Sequence, residues 1–268
     1  MKAKKYFLLA LLSLVSFSYT EIFLASLLPA NAQQNNISEQ NNTDFKCYQQ
    51  YPESEYPEAK AYCHGLANTK IAKQEQIWKG LTAIEESNDP VLVVTWTTWG
   101  GYEENMGKFM ENTRDTWVTV APELQNFCKK YNRNTLVPLP YRINQVLGLT
   151  PEKEETYQKR KFAQIWVKPK DLFRPTPDPE ITDSEAELGF IPNWFRPISD
   201  SYKYWFLNQL MTNNYPWTKL GYTYDWGQHS DWQEIDADRP ANVGLSEFII
   251  QEKATIKVHS VSTLENYC

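Results

Sequence analysis

The last residue of this chain is a cysteine, and it is one of four: Cys47, Cys63, Cys128 and Cys268. Four cysteines constrain a fold only where they oxidise, and the first 32 residues point to such a compartment. Lys2, Lys4 and Lys5 precede an apolar run over residues 6–19, and Ala30-Asn31-Ala32 places small residues where a signal peptidase reads. Residues 1–32 are therefore expected to be a cleaved secretory leader. The alternative is a retained anchor, but Glu21 inside the apolar stretch opposes it, because a mid-span carboxylate costs about 3 kcal/mol. Three pairings of the cysteines are open. The even count favours Cys47 with Cys63 and Cys128 with Cys268, which would tie the last residue to the middle of the body. No CxxC and no cysteine–histidine cluster at ligand spacing occurs, so no metal is expected.

Residues 33–46 are rich in Gln and Asn, with too little apolar surface to offset the entropy of ordering, and read as a disordered tether. Asn36-Ile37-Ser38 and Asn41-Asn42-Thr43 are formal glycosylation sequons within it. Residues 47–268 then form one globular domain, long enough for a single sizeable core. The whole chain carries a net charge of −6, and losing a leader with three Lys and one Glu leaves it more acidic by two. An acidic body argues against nucleic acid as a partner. No segment after the leader is apolar enough to span a bilayer.

The body mixes strands and helices without a βαβ rhythm. The fold expected is α+β, a mixed or antiparallel sheet with several helices and a C-terminal β-hairpin. β-Branched runs place strands at residues 91–96, 115–119 and 162–167. Pro122 and Glu123 open a helix over residues 121–131, with Leu124, Phe127, Cys128 and Tyr131 on one face. A second helix runs over residues 141–147 and stops at Gly148; a third starts at Ser199 or Asp200 and presents Tyr202, Trp205, Phe206 and Leu210. Residues 171–183 hold three prolines and read as an irregular loop. Residues 244–250 and 254–260 are strand-like and predict the closing hairpin, although no Asn-Gly joins them.

Aromatic residues make up 14% of the chain, ten of them Trp. Exposed rings of this kind serve exported proteins as platforms for sugars; buried, they supply core area. They crowd most densely in KLGYTYDWGQHSDW, residues 219–232, where Tyr224, Trp226 and Trp232 are candidate ligand platforms. In the same loop His229 is a candidate acid–base group, with Asp225 or Asp231 to orient it. His64 adjoins a cysteine and His259 alternates onto a polar strand face, so neither competes. Asp231, Glu234, Asp236 and Asp238 alternate as calcium ligands do, but the string lacks the mid-loop Gly and closing Glu of an EF-hand and reads as a solvated loop.

Two resemblances add to this. The order WVTVAPELQNFC, IWVKPKDLFRPTPDPEITD, YPWTKLGYTYDWG, GLSEFII and a final YC resembles a family of exported bacterial proteins of cyanobacterial type, to which no activity is assigned. GLSEFIIQEKATIKV is similar to the closing hairpin of ADP-ribosyltransferase-like domains. That resemblance implies that Glu247 contacts a nicotinamide ribose and that Arg142 holds the dinucleotide. The chain departs from the pattern: it has no Ser-Thr-Ser segment, and Leu245 stands where a second acid or Gln belongs.

The function expected is that of an exported module of the periplasm or extracellular space, binding or structural, with a glycan or another envelope component as partner and no cofactor. The alternative is a secreted enzyme, a hydrolase or an ADP-ribosyltransferase-like protein, with its site near His229 and Glu247.

Overall fold

Strand β1 (Val91–Thr97) is the axis of the molecule, and its sequence VLVVTWT explains why. It carries apolar side chains toward both faces, as a strand covered on both sides must. Val93 faces one core; Val94 and Trp96 face another. The computed structural model describes residues 46–131, 137–190, 198–227 and 238–268. Among them β1 pairs along its whole length with β4 (Lys161–Val167), from Val91↔Val167 to Thr97↔Lys161. On its other side it pairs with β3 (Thr116–Val120). The remaining strands of the sheet are β2 (Phe109–Glu111), β5 (Leu172–Phe173), β8 (Phe248–Ile250) and β9 (Thr255–Ser262). The order is β2-β9-β4-β1-β3-β8-β5, with every pair antiparallel. One face packs Val93, Val118, Ile165, Phe248, Ile250, Ile256 and Val258 into a common core.

Helices cover the other face. Helix α2 (Ala121–Lys130) has Pro122 in its first turn and buries Leu124, Phe127 and Cys128, the stripe its periodicity predicts. Cys128 is bonded to Cys268 with a Cα–Cα distance of 5.5 Å. The bridge closes on α5 (Leu264–Tyr267), whose Tyr267 stacks on Phe162 at 4.0 Å and donates its hydroxyl to the Ala121 carbonyl at 2.7 Å. The second disulfide joins Cys47 to Cys63 on α1 (Ala59–Asn68). Helix α3 (Leu139–Val146) starts two residues earlier than its apolar pattern indicates, because Pro140 sits in its first turn. It ends as expected at Gly148, φ 66°, where the Gly148 N–H donates to the Gln145 carbonyl and the Leu149 N–H to the Asn144 carbonyl. A left-handed residue closes both bonds, so glycine is the fitting choice. Helix α4 (Asp200–Thr212) is capped by the Ser199 hydroxyl, which accepts the Tyr202 N–H at 3.2 Å. Phe206 is buried on it; Leu210 is exposed.

A C-terminal β-hairpin is present, formed by β6 (Tyr222–Tyr224) and β7 (Val243–Ser246), with Tyr222↔Ser246 and Tyr224↔Val243 in register. Residues 244–250 and 254–260 are extended as expected, but they are not each other's partners. Strand β8 pairs with β3 and β5, and β9 pairs with β2 and β4. Asn112, 3% exposed, is the reason. Its Nδ2 donates to the Ile250 and Gln251 carbonyls at 3.1 and 3.0 Å. Its backbone accepts the Lys253 N–H at 2.7 Å and donates to the Ala254 carbonyl at 2.8 Å. The connection is thus pinned to a different part of the chain and turned away from a hairpin. Among the described residues no helix is long and apolar enough to cross a membrane.

Candidate functional site

The described part of the aromatic loop faces inward. Trp226 sits edge-on against Tyr62 and Tyr141, each 5.7 Å away, and its Nε1 donates to the Leu149 carbonyl at 2.9 Å. Tyr224 is buried, and its hydroxyl accepts from Asn68 Nδ2 at 3.1 Å. Both rings belong to a core cluster with the Cys47–Cys63 bridge, and Tyr224 also lines a cavity of about 150 Å³ with Asn68 and Tyr222. His229, Asp231 and Trp232 lie outside the described residues, as do Glu234 and Asp236.

Asp225 and Arg142 come together 83 positions apart in sequence. Arg142 Nη1 and Nη2 donate to Asp225 Oδ1 and Oδ2 at 2.7 and 2.6 Å, and both side chains are buried. Oδ1 also accepts the Gly227 N–H at 2.9 Å, and the Asp225 carbonyl accepts from Asn242 Nδ2 at 2.8 Å. Arg142 is helical, on α3, with Phe127 under its guanidinium at 5.1 Å. A bidentate pair with this many supporting bonds fixes the junction of α3 and β6.

Glu247 stands apart from that pair. It lies at the junction of β7 and β8, one register step beyond Val118↔Phe248 and so opposite Thr119. Its N–H donates to the Gly221 carbonyl at 2.9 Å. Its buried Oε2 has no hydrogen-bond partner among the described residues, and neither has the buried hydroxyl of Thr119. Burial pushes the carboxyl up to about 8. Both residues line a crevice of about 60 Å³ with Trp96, Trp117, Leu147 and Thr223. Glu123 on α2 is the contrast. That carboxylate accepts the Ser246 N–H at 3.1 Å and the Thr82 hydroxyl at 3.3 Å, with Arg239 at 3.6 Å.

A larger concavity carrying both rings and acids was not visible as a unit in the sequence. It is a groove of about 520 Å³, assembled from residues 169–181, the start of α4 and the β8–β9 connection. Phe173, Tyr202 and Trp205 supply half-buried rings; Tyr202 stacks on Trp205 at 5.5 Å, and Phe173 meets Trp205 edge-on at 4.8 Å. Glu86, Asp115, Asp178, Glu180 and Glu252 bring carboxylates, against Lys170 alone among the described lining residues. Asp115 anchors the platform, accepting Trp205 Nε1–H and the Glu252 N–H at 2.8 Å each. Tyr202 is locked through its hydroxyl, which donates to the Arg174 and Thr176 carbonyls at 3.0 and 2.5 Å. Behind the wall Glu187 is pushed up to about 7 by burial and by its neighbour Asp178. The signals present in the sequence were the proline-rich loop and the ring-bearing face of α4; what joins them is tertiary.

Comparison with known proteins gives no matching family, no similar curated protein and no similar solved structure. The function must therefore be read from the site. Among the described residues no three His, Cys, Asp or Glu side chains gather as metal ligands. What the groove offers is a set of flat apolar faces ringed by hydrogen-bond acceptors.

Proposed function

We propose that this protein is an exported binding module of the periplasm or extracellular space, and that its groove holds a segment of a neutral glycan. One observation carries the reading: the Phe173–Tyr202–Trp205 platform is flanked by five carboxylates in one open groove. A pyranose ring has apolar C–H faces and an equator of hydroxyl donors. The rings match the faces and the carboxylates match the donors, a few placed polar groups around an apolar surface. The excess of acids disfavours anionic polymers by like-charge repulsion. Two disulfides support residence in an oxidising compartment, and the leader read from residues 1–32 supplies the route.

The test is a thermal-shift and calorimetric screen of neutral and acidic oligosaccharides on the purified protein. Neutral chains are expected to raise Tm saturably. Trp205→Ala should weaken binding at least about tenfold, the scale of losing one aromatic anchor, while Trp205→Phe keeps a platform and most of the affinity. Acidic oligosaccharides binding as well as neutral ones, or Trp205→Ala binding unchanged, would refute the reading.

A further inference from the structure

We propose that the crevice over Glu247 is a second binding site, built for a compact primary ammonium group held by Glu247 and Thr119 beside the rings of Trp96 and Trp117. The site shares no lining residue with the glycan groove and stands whether or not that groove binds sugar. Glu247 and Thr119 line one small cavity, and each carries a buried polar atom, Oε2 and Oγ1, without a partner among the described residues. Buried polar groups are almost always paired, so a matched pair of exceptions in one place calls for a partner supplied from outside.

The chemistry of that partner follows from the walls. A carboxylate is satisfied by N–H donors carrying positive charge, and indole faces attract the same cation. Three buried guanidinium groups face other carboxylates. Arg174 is taken by Asp183 at 2.7 Å, Arg239 lies at 3.6 Å from Glu123, and Arg142 is paired with Asp225. Glu123, beside Ser246, accepts from the Ser246 N–H and the Thr82 hydroxyl, so this buried neighbour does not share the lack at Glu247. The cavity of about 60 Å³ sets the size. About 10–15 Å³ of such space holds one water, so the crevice has room for a small polar group such as an ammonium with a short alkyl chain. Binding is coupled to protons. Burial keeps Glu247 protonated below about 8, so an ammonium entering at pH 7 displaces one proton to solvent. Affinity should rise about tenfold per pH unit up to that value and then level.

Ethylammonium chloride is the probe, titrated into the full chain by calorimetry in two pH 7 buffers of different ionisation enthalpy, at matched ionic strength. Saturable binding with release of about one proton is expected, together with a change in tryptophan fluorescence. Ethanol should give no such response. Glu247→Gln should weaken ethylammonium at least tenfold, and Thr119→Val severalfold; if Glu247→Gln fails to fold, Thr119→Val decides. Trp205→Ala, in the other site, should leave the titration unchanged. Absence of saturation, an equal response to ethanol, or wild-type affinity in the variants that fold would overturn the proposal.

Discussion

Glu247→Gln should make this protein more stable, and by an amount that grows with pH. In the unfolded chain the carboxyl ionises at its ordinary value of 4.5; in the folded protein burial holds it at about 8. Below 4.5 it is protonated in both states and contributes nothing to the pH dependence. Between the two values the folded state keeps a proton that the unfolded state has released, so stability falls as pH rises. The slope is about 1.4 kcal/mol per pH unit, and by pH 8 the accumulated penalty approaches 5 kcal/mol, an upper figure for a crevice that water can reach. Gln cannot ionise. The difference between variant and wild type should therefore be small at pH 4.5, reach about 2–3 kcal/mol near pH 7 and flatten above pH 8. Urea unfolding of both proteins with disulfides intact, at pH 4.5, 6, 7 and 8.5, measures it directly. A difference that stays constant within about 0.5 kcal/mol across this range would refute the claim that Glu247 is buried without a partner.

The two disulfides should differ in their contribution. By loop-closure entropy, Cys268→Ser opens a loop with a separation of 140 residues and should cost about 5 kcal/mol, against about 3 kcal/mol for Cys63→Ser, whose separation is 16; urea midpoints of the two variants test the ranking. Asp225→Ala removes the bidentate partner of the buried Arg142 and should cost about 3–5 kcal/mol, while the double change Arg142→Met with Asp225→Leu should recover most of that in the same assay.

The parts of the fold legible in the sequence were those with a local cause. The stripe Leu124, Phe127, Cys128 needs only helical periodicity, and Gly148 needs only the left-handed turn that ends α3. Strands β1, β3 and β4 announce themselves by β-branched residues. Which strand lies beside which is a different kind of fact. Residues 244–260 look like a hairpin because two extended runs are separated by three residues. Asn112, well over a hundred positions earlier, binds the connection and sends β9 to β2 and β4 instead. Contacts this distant in sequence thus outweigh proximity along the chain, and no local pattern reveals them.

The candidate site was legible only in its pieces. Asp225 and Glu247 both stood out as acids in suggestive surroundings, yet the structure gives them opposite circumstances. Asp225 has its charge matched by Arg142, so its desolvation is offset and its role is to hold α3 against β6. Glu247 Oε2 has no such partner among the described residues, so its desolvation is expressed as a raised pKa and an open demand for a donor. The sequence cannot separate these cases, because the deciding quantity is a partner 83 positions away for one and its lack for the other. The same holds for the rings. Trp226 and Trp205 are equally aromatic in the sequence, but Trp226 is wedged between Tyr62 and Tyr141, whereas Asp115 holds Trp205 at the wall of an open groove. A density of aromatic and charged residues along a chain therefore marks dense packing as readily as it marks binding. What distinguishes a binding surface is polar capacity still open to a ligand, and among the described residues Glu247 Oε2 is one atom that has it.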